Sequence, residues 1–428
     1  MISYIPLAAL VALLLLGAPI AFALAGSGIL GIWLITGSLN GVLGVLGTTL
    51  FSTVASFTLT TIPMFVLLAF FSSSSGLGED LYNGGAKLLS SIRGGLAIAT
   101  VFACGIFGAM AGSSVAASTV MAKIAMPNMR RFGYSESLAS GTIAVGSVLS
   151  ILIPPSVGMV IYGMLTETSI GKLLIAGVVP GIILGIILSL VILAWVAIRP
   201  SDAPAVEKVP WGERFRSLYR IWPSLLIIGL IFSLLYSGAV TPTEVGAVGA
   251  LLSAIVGFAL RRLTLAGSLG ACLATVRTTA MIFMILIGGM IVGQYMVLSG
   301  VPQRIIAIVT DMNINRWLVI AGIFVCYFVI SMFMDELPLI IITLQVTFPL
   351  IVSLKFDPIW YGVITTMMVA MGLVFPPVGM SAFIVSATAN VNLMNVYKGT
   401  SVLIIAIVIT TLLICFFPEL ALWLPSQM

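Results

Sequence analysis

The sequence predicts an all-α polytopic membrane protein with about ten transmembrane helices and two re-entrant hairpins, arranged as two inverted repeats. Composition is the first reason, since 61% of the 428 residues are hydrophobic and 7% are charged, whereas about 25% of residues in a globular domain are charged. The second reason is a succession of apolar runs, such as residues 182–198, that are long enough to span a bilayer. The third is a set of prolines that recurs at a constant spacing.

The most polar interval, residues 199–220, is a predicted linker between a first repeat at 1–198 and a second repeat at 221–428. Cytoplasmic loops carry an excess of Lys and Arg, so we expect this linker to be cytoplasmic. Counting five crossings outward in each direction predicts that both termini lie on the opposite side of the membrane. The cations that determine this orientation are Arg199, Lys208, Arg214, Arg216 and Arg220.

Several classes of enzymatic site are excluded by the residues that are missing. The chain contains no His, so imidazole bases and His-ligated metals are ruled out. Neither an HExxH nor a GxSxG motif is present. The four cysteines are far apart in apolar stretches, which predicts core packing. We therefore expect no catalytic residues, no cofactor and no enzymatic activity.

The two halves of the chain share landmarks at a nearly constant offset, which predicts a duplicated unit. A unit with five crossings and one hairpin that does not cross would insert its second copy upside down. The basic residues cluster around the first hairpin, as expected if it opens to the cytoplasm and its twin to the outside. Such inverted repeats indicate a secondary transporter. The matching prolines, all at one common offset, are Pro127, Pro154 and Pro155 in the first half and Pro349, Pro376 and Pro377 in the second.

Each repeat contains one predicted hairpin and one interfacial arm helix. The first hairpin, at 94–130, turns at small residues around Gly112, and the second, at 316–355, turns at the acidic pair Asp335 and Glu336. An acidic pair among apolar residues at membrane depth is costly and indicates a functional site. The alternative, an exposed loop between two full spans, is left open by the arm lengths. Residues 39–57 and 263–278 are too mixed to span and are predicted to be arm helices.

After each hairpin comes a long helix, at 136–166 and 358–387, with a double proline near its middle. Two prolines remove two N–H donors and leave the carbonyls of the preceding half without partners. Such carbonyls are tolerated in a membrane around a cavity or an ion, and helix C-terminal ends favour cations. The predicted sodium site 1 comprises Met110, Ser113, Ser114, Val148, Ile151 and Pro154, and site 2 comprises Met332, Asp335, Glu336, Ala370, Leu373 and Pro376.

The second half of each broken helix presents free N–H groups, and such helix N-termini bind anions, carboxylates among them. The alternative is a pair of proline kinks that serve packing, because Pro is common in membrane helices. Two double prolines in register with two hairpins favour a site. The predicted substrate-binding residues are Ser114, Ser156, Val157, Gly158, Val378, Gly379 and Met380.

These features resemble the large membrane subunit of tripartite ATP-independent periplasmic (TRAP) transporters over nearly the whole chain. Ala111 stands where that family often has Ser, which weakens a hydroxyl role at this turn. The matching motifs are Gly17-Ala18-Pro19-Ile20, Ile62-Pro63-Met64-Phe65, Gly112-Ser113-Ser114, Pro154-Pro155-Ser156, Ala176-Gly177, Pro180-Gly181, Thr241-Pro242-Thr243-Glu244, Phe333-Met334-Asp335 and Pro376-Pro377-Val378-Gly379.

The resemblance implies an elevator-type, Na⁺-coupled importer of organic acids, such as sialic acids or C4-dicarboxylates, in a bacterial inner membrane. Sodium ions would bind between hairpin tips and broken helices, and both termini would be periplasmic. Two partners are implied: a small four-helix membrane subunit, expected as a separate chain, and a soluble periplasmic substrate-binding protein. A stand-alone dicarboxylate or citrate symporter of similar fold, or an ion antiporter, is the alternative. An intramembrane enzyme is a third hypothesis, which the missing catalytic motifs disfavour.

Overall fold

The computed structural model describes residues 4–204, 210–312 and 314–428, and within these residues the chain is helical and contains no strand. Lys208 of the predicted linker lies outside the described residues. The helices of the first half are α1 (Ile5–Leu15), α2 (Ile20–Thr36), α3 (Leu39–Val54), α4 (Thr61–Ser74), α5 (Leu77–Leu88), α6 (Gly95–Ala111), α7 (Ser114–Arg131), α8 (Glu136–Ser147), α9 (Leu149–Leu152), α10 (Val157–Leu165), α11 (Ile170–Ala176) and α12 (Val178–Ile198).

The second half follows the same order. Its helices are α13 (Trp211–Ser237), α14 (Pro242–Ala259), α15 (Leu265–Ser299), α16 (Val301–Asp311), α17 (Arg316–Ser331), α18 (Glu336–Ser353), α19 (Pro358–Gly372), α20 (Met380–Ala389), α21 (Leu393–Phe416) and α22 (Glu419–Leu422). Short 3₁₀ turns occupy Phe57–Thr60, Pro200–Asp202 and Pro425–Gln427.

Eight helical segments of the described chain are long and apolar enough to cross a membrane, and shorter apolar helices such as α6 and α17 accompany them. The chain is therefore an all-α polytopic membrane protein. The segment Glu136–Leu165, which contains the first double proline, is 94% buried over its apolar window, against 33% for Gly212–Ser237. The first broken helix thus lies at the centre of the bundle.

Backbone geometry relates the two halves to each other. Of the thirteen described residues with a positive φ, ten form five pairs, with one partner in each half, at nearly the same offset as the repeated prolines. In three of these pairs at least one partner is not glycine, so the shared backbone shape does not depend on the side chain. This pairing supports the predicted duplication. The left-handed pairs are Gly17 and Gly238, Gly37 and Arg261, Gly76 and Gly300, Gly133 and Lys355, and Glu167 and Asn390.

Two hydrogen bonds relate each broken helix to the hairpin of the other half. The Tyr162 hydroxyl, near the end of α10, donates to the carbonyl of Pro358 at the base of the second hairpin, at 2.6 Å. Arg130, at the base of the first hairpin, donates to the carbonyl of Asn390, just after α20, at 3.2 Å. Because each broken helix begins beside its own hairpin and ends beside the other one, the bases of the two hairpins lie at opposite ends of these helices. This arrangement supports the predicted inversion.

The arm helix predicted at 263–278 is not a separate element, and this prediction is corrected. α15 runs without interruption from Leu265 to Ser299 and contains both the arm and the following span. In the first half the corresponding helices, α3 and α4, are separated around Ser56. Pro63 explains the difference, because a proline has no N–H and suits the first turn of a new helix, whereas α15 contains no proline.

The linker predicted at 199–220 is shorter in the structure. α12 ends at Ile198 and α13 begins at Trp211, so the second half of the predicted linker is the charged beginning of a membrane helix. Pro210 precedes the first residue of α13. Residues such as Arg216 and Arg220 are too polar for the bilayer core but do not prevent a helix, since Arg has a high helix propensity.

An ion pair joins the two halves between α5 and the loop that follows α14. Two guanidinium nitrogens of Arg262 donate to the two carboxylate oxygens of Asp80, and the longer bond measures 3.2 Å. The Asp80 side chain is 9% exposed and that of Arg262 39%. Hydrogen bonding to Asp80 raises the pKa of Arg262 above its ordinary value, so the guanidinium stays charged.

We expect Asp80→Asn to lower the free energy of unfolding by about 1–2 kcal/mol. Hydrogen bonds to charged groups contribute about 1.5–3 kcal/mol, and the half-exposed Arg262 retains part of its solvation. Thermal unfolding in detergent measures the change. Glu79→Gln, which neutralises the exposed neighbouring acid, is the control, and equal melting temperatures of the two variants would contradict a role for the pair.

Candidate functional site

The tip of the first hairpin touches the first helix break. Gly112, between α6 and α7, has a φ of +61°, a conformation that favours glycine. A β-carbon at this position would lie 2.6 Å from the carbonyl oxygen of Pro155. The N–H of Val157 donates to the carbonyl of Gly112 at 3.3 Å. The tip and the break are therefore in direct backbone contact, which only a residue without a side chain permits.

The predicted members of sodium site 1 lie on the hairpin and on the broken helix that this contact joins, and they are buried, except for the half-buried Ser113. The Ser113 hydroxyl accepts a hydrogen bond from the N–H of Ala116 and so caps α7. The carbonyl of Val148 accepts from the N–H of Ile151 at 3.2 Å. Because a carbonyl oxygen has two lone pairs, Val148 retains one with which to bind a cation.

Three serines next to this site were not identified from the sequence. The Ser118 hydroxyl of α7 donates to the Ser147 hydroxyl of α8 at 2.7 Å. Ser150 donates to the carbonyl of Ser147 at 2.6 Å, and a β-carbon on Gly108 would approach Ser150 within 2.5 Å. The hydrogen bond between Ser118 and Ser147 joins the hairpin to the broken helix. A sequence signal was present, since serine and other small residues are enriched where membrane helices pack together.

The second hairpin contacts the second break in a related way. The N–H of Gly379 donates to the carbonyl of Met332 at 3.1 Å. Asp335 stands just before α18 and makes no capping hydrogen bond with its side chain. Met332, Asp335 and Pro376 are half-buried, so this site is more open than the first. The residues predicted for site 2 are thus more exposed than those predicted for site 1.

Several carbonyls of the second break already accept hydrogen bonds. The carbonyl of Leu373 accepts from the N–H of Ser381 at 2.9 Å. The Tyr397 hydroxyl of α21 lies 2.7 Å from the carbonyl of Pro377 and 2.8 Å from that of Val378. The Tyr397 hydroxyl therefore contacts two carbonyls of the break, a role with no local signal in the sequence. Met380 begins α20 beside Gly379, while Ala370 is buried in the last turn of α19.

Buried hydroxyls without a hydrogen-bond partner in the described residues add possible oxygen ligands. Ser381, in the first turn of α20, has a hydroxyl of this kind. Thr142 of α8 and Thr365 of α19 are two others, at corresponding places of the two broken helices. Buried polar groups are normally satisfied, so these hydroxyls mark places where an ion or a polar ligand would be stabilised. Comparing the two halves of the sequence at nearly the offset of the repeated prolines would have matched Thr142 with Thr365.

Glu336 lies against the first broken helix, which belongs to the other half. A β-carbon on Gly158 would overlap with Oε1 of Glu336, so the carboxyl group occupies the space that a side chain at Gly158 would need. Glu336 is 5% exposed, and its Oε1 has no hydrogen-bond partner in the described part of the chain. Gly158 is in the first turn of α10, capped by Ser156, whose hydroxyl accepts from the N–H of Met159 at 3.3 Å.

Glu336, predicted for sodium site 2, and Gly158, predicted for substrate binding, are thus neighbours. The residues predicted for sodium site 2 and those predicted for substrate binding therefore meet where the second hairpin contacts α10. A carboxyl group at the N-terminal turn of α10 also agrees with the preference of helix N-termini for acidic groups.

An open cavity of about 530 Å³ lies beyond the end of α10. On one side it is lined by residues after α10, including Glu167 and Thr168, and on the other by the segment that joins α3 to α4 and by the start of α14. Its lining is rich in hydroxyl groups, and two of these, on Thr61 and Thr243, are 2.6 Å apart. The cavity reaches Gly163 and Met164 in the last turn of the first broken helix.

The described residues contain no group of three or more Cys, Asp or Glu side chains that could hold a metal ion. A cation at either break would therefore be bound mainly by carbonyl and hydroxyl oxygens, the ligands that hard cations prefer. The ends of the first halves thus present carbonyl oxygens. At the beginnings of the second halves, the N–H groups of Val157, Gly379 and Ser381 already donate within the protein.

Comparison with known proteins gives consistent matches. Residues 7–420 match the family model of the DctM component of tripartite ATP-independent periplasmic transporters. The C4-dicarboxylate TRAP transporter large permease protein DctM of Pseudomonas aeruginosa is 34% identical over 378 residues, which cover 88% of each chain. The ectoine TRAP transporter large permease protein TeaC of Halomonas elongata is 32% identical over 425 residues, 98% of each chain. The crystal structure of the YdaH transporter of Alcanivorax borkumensis has a similar fold, with a TM-score of 0.61, 14% identity and 90% of each chain covered.

Proposed function

The chain belongs to the DctM component family of tripartite ATP-independent periplasmic transporters, and on that premise we propose that it imports an organic acid by sodium-coupled secondary transport. It is a transporter subunit and not an enzyme. The observation that carries the proposal is the pair of antiparallel broken helices, each with its break in backbone contact with a hairpin tip. Discontinuous helices of this kind bind ions and substrates near the middle of the membrane in secondary transporters.

Sodium would bind at the two breaks. The carbonyl oxygens of Val148 and Leu373 lie at the C-terminal ends of α8 and α19, where the helix dipole favours a cation. The hydroxyl of Ser381, which has no hydrogen-bond partner in the described residues, would add an oxygen ligand from the other side of the second break. Half-buried Met332 and Asp335 would make the second site the first to exchange its ion with solvent. The first, closed site would exchange its ion only when the hairpin tip at Gly112 separates from Pro155.

The substrate would be an organic acid of the C4-dicarboxylate or sialic acid type. A relative that is 34% identical is a C4-dicarboxylate permease, which supports the first class. The substrate carboxylate would bind at the first turn of α10 or α20, next to Ser156 or Gly379, because helix N-termini stabilise anions. The hydroxyl-lined cavity beyond α10 would then be the route between this site and the surface.

We place the protein in a bacterial inner membrane, with both termini periplasmic, and with two partners. These are a small four-helix membrane subunit and a periplasmic binding protein that delivers the substrate. The transport movement would be of the elevator type, in which both hairpins and both broken helices move together against the remaining helices. The contacts from α10 to Pro358 and from Arg130 to Asn390 would keep this unit rigid as it moves.

Uptake by the complete complex in vesicles tests the proposal. We expect labelled succinate or sialic acid to accumulate only with an inward Na⁺ gradient, and faster when the interior is negative. Each net positive charge that enters gains about 2.3 kcal/mol per 100 mV, roughly a fiftyfold change in accumulation. A potassium gradient with valinomycin sets the potential independently of Na⁺.

The controls separate the parts of the proposal. Uptake at full rate without Na⁺ would contradict sodium coupling and leave secondary transport intact. Uptake by the chain without the small subunit and the binding protein would favour the stand-alone symporter. Loss of the imposed Na⁺ gradient on adding substrate would show directly that the two fluxes are coupled.

A further inference from the structure

A cavity of about 260 Å³ lies between α5 and the beginning of α13, far along the chain from both helix breaks. Its floor is a close contact between the two helices, since a β-carbon on Gly84 would overlap with the side chain of Ile221. The Ser217 hydroxyl, which donates to the carbonyl of Gly84 at 3.4 Å, also lines it. The remaining lining residues are polar or charged: Asn83, Lys87, Glu213, Arg216 and Arg220.

The cavity has an excess of positive charge. Lys87 is in the last turn of α5, while Arg216 and Arg220 are four residues apart and lie on the same face of α13. Glu213 is the single carboxylate in the lining. The two ion pairs among the described residues are Arg130 with Glu136 and Arg262 with Asp80. In the part of the chain that is described, the three cations of the cavity therefore have no carboxylate partner.

The cavity lies at the level of a membrane surface. Beside the two arginines, α13 carries a stripe of exposed aromatic side chains, with Phe215 65% exposed, Tyr219 76% and Trp222 47%. Exposed Leu225 and Leu226 follow in the next turn. Aromatic residues of this kind concentrate at the boundary between lipid headgroups and hydrocarbon, so the cations are at headgroup depth and the leucines at acyl-chain depth.

We propose that this cavity binds the phosphate of an anionic phospholipid, with Lys87, Arg216 and Arg220 holding the headgroup and the aromatic stripe of α13 holding the glycerol backbone and upper acyl chains. Basic pockets between helices at the cytoplasmic surface bind anionic lipid headgroups in other membrane proteins. A guanidinium presents parallel N–H donors that match two phosphate oxygens. The side-chain amide of Asn83 can donate to the ester or glycerol oxygens. Lipid bound at this site would fix the depth of α13, the first helix of the second half, in the membrane.

Lipid retention by the purified full-length chain tests the proposal. The protein in neutral detergent is mixed with equal amounts of phosphatidylglycerol and phosphatidylcholine, purified again, and its bound lipids are quantified by mass spectrometry. We expect at least about a tenfold preference for phosphatidylglycerol, because each nearby cation favours an anionic lipid. A variant with Lys87→Gln, Arg216→Gln and Arg220→Gln should lose this preference.

A matched variant with Arg131→Gln, Arg199→Gln and Arg304→Gln removes three other exposed cations and should keep it. If both variants lose the preference equally, the effect is one of total charge and the proposal is wrong. An Arg216→Lys and Arg220→Lys variant, which keeps the charge, should bind phosphatidylglycerol and shows whether folding was impaired by the glutamines.

Two further outcomes would identify another occupant. If inorganic phosphate displaces phosphatidylglycerol at low concentration and binds equally well without lipid, the ligand is a soluble phosphate and the lipid proposal is overturned. If the triple glutamine variant retains its lipid preference and fails to hold the small membrane subunit, the cavity binds an acidic protein segment, which also overturns it.

Discussion

Replacing Gly112 with alanine is expected to reduce the initial rate of substrate uptake by about tenfold or more. A residue with a side chain costs about 1–2 kcal/mol in the left-handed conformation of Gly112, and its β-carbon would lie 2.6 Å from the carbonyl of Pro155. The hairpin tip would have to move away from the break, which also weakens the hydrogen bond from Val157. A cost of about 1.4 kcal/mol corresponds to a factor of ten in an equilibrium. Uptake by the complete complex in vesicles, normalised to the amount of folded protein, measures this rate.

Two other glycines serve as controls, because they separate the cost of a left-handed backbone from the clash of the β-carbon with Pro155. Gly17 is left-handed with a φ of +79°, and no atom lies within 4 Å of the position that a β-carbon would take there, while Gly44 has neither constraint. Gly17→Ala should therefore show the backbone cost alone, as a lower melting temperature with a nearly normal transport rate. Gly44→Ala should behave like the unmodified protein. Equal uptake by Gly112→Ala and Gly17→Ala would contradict a role for contact between the tip and the break.

The second expected result concerns Gly158 and Glu336. We expect Gly158→Ala to reduce the transport efficiency by about tenfold, because its β-carbon would overlap with the Glu336 carboxyl group in a buried place. In a chain that also carries Glu336→Ala, this overlap is gone. The double variant should then lose less than the sum of the two single losses, with a coupling energy of about 1–2 kcal/mol. The ratio of maximal rate to half-saturating concentration, measured for all four proteins, gives this energy.

Glu336→Gln distinguishes shape from charge in the same experiment. Glutamine has the size of glutamate, so it should leave the overlap with an alanine at position 158 in place and give no relief. Gly229→Ala, at a glycine with open space around it, should add to Glu336→Ala without coupling. If Glu336→Gln relieves Gly158→Ala as well as Glu336→Ala does, repulsion of the substrate by the carboxylate is responsible and the steric account is wrong.

The broken helices could be predicted from the sequence because their cause is local. Pro154-Pro155 and Pro376-Pro377 remove backbone donors wherever they occur, and the described helices end at Leu152 and Gly372 and resume at Val157 and Met380. Membership of the TRAP family and the all-α membrane fold are likewise confirmed. The bound ions and the substrate stay predictions.

Contacts between distant parts of the chain could not be predicted in this way. Nothing near Glu336 in the sequence shows that it lies against Gly158, and Tyr397 is on a helix that had no predicted role in the site. The separate arm helix was wrong because a polar composition does not end a helix, and α15 contains no proline that would interrupt it. Helix breaks follow from local chemistry, but which breaks and tips meet depends on the packing of the whole bundle.

The two halves differ in that α15 is one continuous helix, whereas α3 and α4 are separate helices, and this difference affects how each half can move. α15 is a single helix of 35 residues, about 52 Å long at 1.5 Å per residue, so a continuous helical backbone couples its Leu265 end to Ser299. The corresponding part of the first half consists of two shorter helices, α3 and α4, that are interrupted around Ser56. This interruption lines the hydroxyl-rich cavity beyond α10. We therefore expect the first half to bend around Ser56 more readily than α15 bends, and such bending beside the cavity would change the width of the cavity mouth.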